Sequence, residues 1–177
     1  MALIIENGSI VPGAESYVSV ADCETYCTNR GLAFTGTVDL QEQALRRATV
    51  WLDGAFRARY VGWRKEGRSQ PLEWPRKVAQ VQTQPNDFIA DDVVPQEVID
   101  ANCEAAVREL ATPGGLSPDI TPGKIQTKVA VSGAVSVEYA ATANATQDQR
   151  PVMTVISSIL SPVLKAAQLF TGGAYRG

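Results

Sequence analysis

The chain has 177 residues, 45% of them hydrophobic, which suffices for one domain with a core of its own. It contains no histidine, so Ser-His and Cys-His nucleophilic catalysis are excluded, and it has no phosphate-binding motif of the type Gly-x-x-x-x-Gly-Lys-Ser/Thr. Its most apolar stretch, 151–170, is interrupted by Pro162 and Lys165 and does not suit a membrane span. We expect a protein that is not an enzyme, has no catalytic residues and binds no cofactor, metal or membrane.

Charge is distributed unevenly along the chain. The formal net charge is -3, yet segment 46–77 holds nine basic and three acidic residues, a local charge of +6 against -9 for the rest. A basic region on an acidic body suits a nucleic-acid path or a contact with an acidic neighbouring subunit. An ordinary solvated helix face followed by a basic loop is the third interpretation. The cations expected to face DNA or another subunit are Arg57, Arg59, Arg64, Lys65 and Arg68.

The three cysteines are Cys23, Cys27 and Cys103. An odd number of cysteines in a chain without an apolar leader favours a reduced, cytoplasmic environment. Cys23 and Cys27 lie one helical turn apart and could contribute to a metal site, but a closed zinc site requires four nitrogen or sulfur ligands. We interpret the cysteines as small buried hydrophobic side chains.

The first predicted helix is short and has a signal at each end. Ser19 with Asp22 three residues later is a variant of the capping box, and Gly31 is placed to end the helix. The residues at the spacing of an inward face are Val20, Cys23, Tyr26 and Cys27.

A longer second helix is predicted from about Asp39 to Tyr60, because apolar residues recur there with helical spacing. Trp51 is expected in the core. Gly54 within this helix is unfavourable by about 1 kcal/mol relative to alanine, so it predicts either close packing or a local bend.

Between Gly62 and Pro95 the sequence is rich in Gly, Arg, Gln, Pro and Asp and shows no sustained period, which predicts a long functional or interfacial loop. The loop contains "PLEWPRK" at 71–77, where the proline after Trp74 favours extended backbone. We expect this stretch to anchor the loop or to form a subunit interface through Leu72, Trp74, Pro75 and Arg76, with Trp74 filling an apolar gap and Arg76 pairing with an acid. Stacking of Trp74 on single-stranded bases is the alternative.

A third helix is predicted from about Pro95 to Ala111, with Ile99, Cys103, Ala106 and Leu110 on one face. The period then changes to two. Alternation over 125–131 and 135–139 around Ser132-Gly133 predicts a two-stranded hairpin, which must pack on the helices or pair with another chain.

A fourth helix is predicted from Pro151 to about Ser161, with an apolar face made by Val152, Val155, Ile156, Ile159 and Leu160. The final stretch "QLFTGGAYRG" combines apolar side chains with glycines. Such an end suits docking onto a partner, and folding back onto the same chain is the alternative.

The order of these elements resembles a family of tailed-bacteriophage head-tail connector, or head-completion adaptor, proteins, many of which are labelled DnaT-like single-stranded DNA-binding proteins. The segments that resemble it are "GAESYVSVADCETYCTNRG", "ALRRATVWLDGAF", "LEWPRK", "VPQEVIDANCEAAVREL" and "KVAVSGAVSVEYA". The residues that match its motifs are Tyr17, Val18 and Ser19 at the start, Trp51, Leu52 and Asp53 in the second helix, and Leu72, Trp74, Pro75 and Arg76 in the loop. Residues 142–150 and the final "LFTGGAYRG" match no pattern of the family.

The resemblance implies a mainly α fold, a small bundle of about four helices with a β-hairpin insertion and an extended C-terminal tail. Residues 1–141 would form the connector domain, with the hairpin at about 124–140, and residues 142–177 a linker, helix and docking tail. By analogy with connectors, the tail would dock onto the portal through Leu169, Phe170, Tyr175 and Arg176.

The function implied is structural. A dodecameric ring in the virion neck, made in the cytoplasm of the host bacterium, would join the portal protein to a tail-completion or tail-terminator protein and surround the genomic DNA that passes through its channel. The alternative is a single-stranded DNA-binding protein that uses segment 46–77, with binding that weakens steeply as salt increases.

Overall fold

The computed structural model describes residues 2–84, 86–118 and 153–165, together with the backbone of the two strands at 126–131 and 135–139. The tail residues Leu169, Phe170, Tyr175 and Arg176 and the 142–150 linker lie outside the described residues. The helices are α1 (Val20–Arg30), α2 (Val38–Phe56), α3 (Gln96–Ala111) and α4 (Thr154–Leu160). The strands are β1 (Trp63–Arg64), β2 (Arg76–Lys77), β3 (Ala79–Gln80), β4 (Phe88–Ile89), β5 (Gln126–Val131) and β6 (Val135–Tyr139). The prediction of a mainly α fold with a β-hairpin is confirmed.

Both predicted ends of α1 are confirmed. The Ser19 hydroxyl accepts a hydrogen bond from the Asp22 amide at 3.0 Å and donates one to its carboxylate at 2.6 Å. Gly31 closes the helix with φ at 66°, a conformation that glycine adopts without steric cost. Cys23, Tyr26 and Cys27 are buried as predicted, so the capping signals and the apolar spacing together place this helix correctly.

Helix α2 begins at Val38, close to the prediction, but ends at Phe56 instead of Tyr60. The chain turns there because the Phe56 carbonyl accepts hydrogen bonds from the amides of both Arg59 and Tyr60, which brings the Tyr60 ring into the core. Trp51 is only half-buried and packs edge-on against Phe56 at 5.9 Å. The fully buried position beside it is Leu52, so Trp51 packs at the edge of the core instead of within it.

Helix α3 is central, since it packs against α1, α2 and α4. Pro95 occupies its N-cap position, and the helix starts one residue later, at Gln96. Of the predicted face, Cys103 and Ala106 are fully buried, whereas Ile99 and Leu110 are partly buried at the edge of the core. Small side chains dominate the buried surface of α3, which lets the neighbouring backbones approach closely.

Helix α4 is shorter than predicted and continues as a 3-10 turn, Ser161–Val163, that contains Pro162. Ile156 and Leu160 are buried as predicted, but Val155 is 46% exposed, so its assignment to the apolar face was wrong. The buried residues that follow, Val163 and Leu164, join the same hydrophobic core as α1–α3.

The long segment between α2 and α3 is mostly irregular, as predicted, but it contains two short antiparallel ladders that the sequence did not indicate. In β1–β2 Trp63 pairs with Lys77, and in β3–β4 Gln80 pairs with Phe88. The predicted hairpin forms from β5 and β6, with Val129 opposite Val137 and an irregularity between Gln126 and Lys128.

Gly62 and Gly54 differ in the space around them, so replacing each by alanine tests the packing of the backbone. A Cβ at Gly62, where φ is 63°, would lie 2.4 Å from the Lys77 carbonyl oxygen, whereas a Cβ at Gly54 would meet no atom within 4 Å. We expect Gly62→Ala to destabilise the protein by at least about 2 kcal/mol through backbone clash and strain. Gly54→Ala should stabilise it by about 0.5–1 kcal/mol. Urea unfolding followed by circular dichroism measures both, and equal effects would contradict the close packing at Gly62.

Candidate nucleic-acid interface

Trp74, which was predicted to fill an apolar gap and anchor the long loop, is completely buried. Its ring packs edge-on against Tyr60 at 5.7 Å, and the Arg76 guanidinium lies over both rings at about 6 Å. The indole Nε1 and the Tyr60 hydroxyl have no hydrogen-bond partner among the described residues, so packing holds this stack together. A ring buried in this way offers no face to a nucleic-acid base, and the loop-anchor interpretation is the one that fits.

The other residues of the loop motif are buried as well. Leu72 is 8% exposed and Pro75 is buried. Gln70, itself buried, donates hydrogen bonds through Nε2 to the carbonyls of Leu72 and Pro75 at 2.9 and 3.0 Å. These contacts fix the loop within its own chain, and a role of the motif at a subunit interface stays a prediction.

A buried carboxylate on α2 holds the loop in place. Asp53 accepts hydrogen bonds from the Tyr17 hydroxyl at 2.7 Å and from the Glu73 amide at 3.0 Å. The same hydroxyl accepts hydrogen bonds from the amides of Glu73 and Trp74. Burial raises the pKa of Asp53 to about 6 despite these donors, and burial also raises the pKa of Tyr17 well above its usual value.

Three arginines surround the carboxylate of Glu73. Arg76 donates to its Oε2 at 2.9 Å and also to the backbone carbonyls of Val61 and Gly62. Arg57 and Arg64 approach the other oxygen, Oε1, only to 4.0 and 3.8 Å. Arg76 thus pairs with an acid of its own chain, as expected, and burial lowers its pKa.

Much of the +6 charge of segment 46–77 is compensated by folding. Arg46 pairs with Glu15 and Glu42, Arg47 with Glu109, and Lys65 with Asp91. Arg68 is exposed, and Arg59 is exposed with its guanidinium 5.8 Å from the centre of the Phe56 ring. Of the five predicted interface cations, Arg57, Arg59 and Arg68 are therefore the most accessible, Arg64 is partly buried, and Lys65 has an acidic partner.

Trp63 is an exposed aromatic residue of this region, which sequence reasoning missed. Its side chain is 56% exposed, and its cross-strand partner on β2 is Lys77. Directly paired residues in an antiparallel ladder project to the same face, so the exposed Trp63 and the partly buried Lys77 share one face of the ladder. Val78 and Phe88 in the same loop region are exposed to a similar degree. The signal was the quartet "GWRK", in which an aromatic residue precedes two cations.

The cysteines form a separate, buried cluster. Cys23, Cys27 and Cys103 are free and buried, and hydrogen bonding to Cys103 together with burial raises the pKa of Cys23. Burial raises the pKa of Cys27 to about 11. No group of metal-binding side chains occurs in the described part of the chain. The arrangement fits small apolar side chains between α1 and α3.

Comparison with known families identifies the chain. A family model described as "Putative DnaT-like ssDNA binding protein" matches residues 1–177, and the chain belongs to this family. No curated protein and no solved structure matches the chain significantly. None of the helices in the described ranges is long and apolar enough to cross a membrane.

The buried Asp53 predicts a specific pH dependence of stability. Because its folded-state pKa of about 6 exceeds the ordinary 3.8, the folded protein binds the proton more tightly than the unfolded chain. The contribution of this group is therefore most favourable at low pH and is lost as pH rises through 6. Its magnitude is about 2 kcal/mol between pH 4 and pH 7.

The measurement is the free energy of urea unfolding of the native protein and of Asp53→Asn across this pH range. Their difference should change by that amount, since the titrations of all other groups cancel. Parallel curves for the two proteins would contradict the buried, proton-binding carboxylate.

Proposed function

We propose that this protein, as a member of that family, binds single-stranded DNA through the exposed surface of the β1–β2 ladder. The observation that carries the proposal is the accessible Trp63 beside Lys77. An aromatic ring next to a cation is the usual platform for single strands, because a base stacks on the ring while the cation contacts a phosphate. The proposal assigns the protein a binding role without a catalytic step.

The fold favours a single strand over a duplex at this surface. Bases in a duplex are already stacked on their neighbours, so an exposed indole gains a stacking partner only where bases are free. Each strand of the ladder contributes two residues. The ladder therefore offers a small stacking surface and is too short to enter a groove of duplex DNA and contact the base edges. The binding site is therefore expected to cover few nucleotides and to discriminate little between sequences.

The exposed cations supply the electrostatic part of the proposed interface. Arg57, Arg59 and Arg68 project from the turn after α2 and from the loop after β1. Because the chain as a whole is negative, attraction for DNA depends on this local positive surface and is screened strongly by salt.

Replacement of Trp63 tests the proposal. Trp63→Ala removes the stacking surface and should weaken binding of an oligo(dT) strand by about 1–3 kcal/mol, whereas Trp63→Phe keeps a ring and should retain most of the affinity. Fluorescence anisotropy at fixed salt concentration measures both. Since the side chain is exposed, neither variant should change the urea midpoint appreciably. Equal affinities of the native protein and Trp63→Ala, or no binding by the native protein, would refute the proposal.

A head-tail connector is the second candidate function. We propose it from the resemblance of the sequence segments and from three large apolar side chains on α2, Val38, Leu40 and Val50, which are 50–73% exposed. Exposed apolar surface of this kind suits contacts between subunits. Basic residues are concentrated in one segment of an otherwise acidic chain. In a head-to-tail ring, the basic surface of one subunit would contact the acidic surface of the next. In this function the protein would bind the portal and a tail-completion or tail-terminator protein in the virion neck.

Removal of residues 169–177 tests the connector function. The truncated protein should keep its helical circular dichroism spectrum, because the described core ends before this segment, but it should no longer co-sediment with the portal protein encoded in the same genome. Full-length protein is the control. Unchanged co-sedimentation of the truncated form would refute the assignment of the tail, and no co-sedimentation of the full-length protein would refute the connector function.

A further inference from the structure

The side chains around Glu73 carry more positive charge than the nearby carboxylates compensate. Three guanidinium groups, those of Arg57, Arg64 and Arg76, approach the Glu73 carboxylate, and the Glu73 amide donates to the neighbouring Asp53. With both carboxylates ionised, the cluster carries a net charge of +1. Arg76 is buried and fully engaged by Glu73 and two backbone carbonyls, so the uncompensated charge lies with the two outer arginines.

Arg64 is the least satisfied of these groups. Its side chain is only 25% exposed, and its nearest contact to Glu73, at 3.8 Å, is longer than a hydrogen bond. Its Nε is buried and has no hydrogen-bond partner among the described residues. A guanidinium group has five N–H donors, and covering them without acceptors is unfavourable. A ligand cannot reach the buried Nε, so an acceptor supplied by a bound ligand would meet the terminal nitrogens through the exposed part of the side chain.

Arg57 provides the second half of the same site. Its Nε donates to the Asp53 carbonyl at the C-terminal end of α2, while the side chain as a whole is 63% exposed. Arg57 and Arg64 approach the same oxygen of Glu73, at 4.0 and 3.8 Å, so the two guanidinium groups flank one carboxylate and a single tetrahedral oxyanion bound beside it would contact both.

We propose that Arg57 and Arg64 form an anion-binding site that holds one phosphate group of a nucleic-acid strand. Guanidinium groups match phosphate in geometry and bind it with two parallel hydrogen bonds. A phosphate carries several acceptor oxygens and can serve two arginines together. The identification of its source as nucleic acid rests on the proposed DNA-binding function, whereas the site itself rests on the two arginines.

Binding of inorganic phosphate tests the site directly. The melting temperature is measured with increasing phosphate, and chloride is adjusted to keep the ionic strength constant. A ligand that binds the folded state raises this temperature, so we expect an increase for the native protein and none for the double variant Arg57→Ala, Arg64→Gln. Arg30→Ala is the control, because Arg30 pairs with Asp100 of α3 and its removal changes the net charge without touching the site.

Binding of an oligo(dT) strand labelled at its 3′ end tests the assignment to nucleic acid. The double variant should bind about tenfold more weakly, and the slope of log affinity against log salt should fall by about 0.7 for each phosphate that the protein no longer neutralises. Arg64→Lys keeps the charge but not the planar group, so it should retain the salt slope and lose part of the affinity.

A 5′-phosphorylated strand that binds more tightly than a 5′-hydroxyl strand would identify a terminal phosphate, and equal binding would identify a backbone phosphate.

The outcomes separate the two proposals. Phosphate stabilisation of the native protein without DNA binding would support the anion site and refute its nucleic-acid assignment. DNA binding that depends on Trp63 but is unchanged in the double variant would support the DNA-binding function and overturn the anion site. Equal phosphate stabilisation of the native protein and of a double variant with a native circular dichroism spectrum would also overturn it.

Discussion

The hydrogen bonds of one buried carboxylate, Asp53, determine how the exposed surface is built. They join α2 to the N-terminal segment through Tyr17 and to the long loop through the Glu73 amide. With this part of the loop fixed, Trp74 enters the core and Arg76 reaches the carbonyls of Val61 and Gly62. Those contacts lie next to the pairing of β1 with β2, the ladder on which Trp63 is exposed.

Two other buried carboxylates organise irregular chain in the same way. Glu6 accepts hydrogen bonds from the amides of Gly8, Ile10 and Val11, and Glu109 accepts them from the amides of Gly114 and Leu116. Turns without regular ladders have backbone donors that need acceptors when they are buried. A carboxylate with several lone pairs satisfies two or three of them at once, which explains how a fold with short strands can order long connecting segments.

Local signals in the sequence predicted the regular elements well. The Ser19 and Gly31 caps, Pro95 before α3 and the alternation in β5 and β6 act within a few residues, so they can be recognised without knowledge of the fold. The proline after Trp74 predicted extended backbone, but it left packing and base stacking both open, and the fold decides between them by burying the ring. The two short ladders and the exposure of Trp63 depend on contacts between residues distant in sequence, and propensity carries no information about those.

The candidate site shows why charge composition alone predicts binding poorly. Segment 46–77 reads as a uniform basic stretch, but folding pairs Arg46, Arg47 and Lys65 with acids and buries Arg76. Arg59 and Arg68, by contrast, remain exposed. A cation that already has a close acidic partner contributes little to attraction for a polyanion, because the field of the pair decays quickly with distance. The charge available to a polyanion is therefore smaller than +6 and is located around β1 and the end of α2, where the accessible indole also lies.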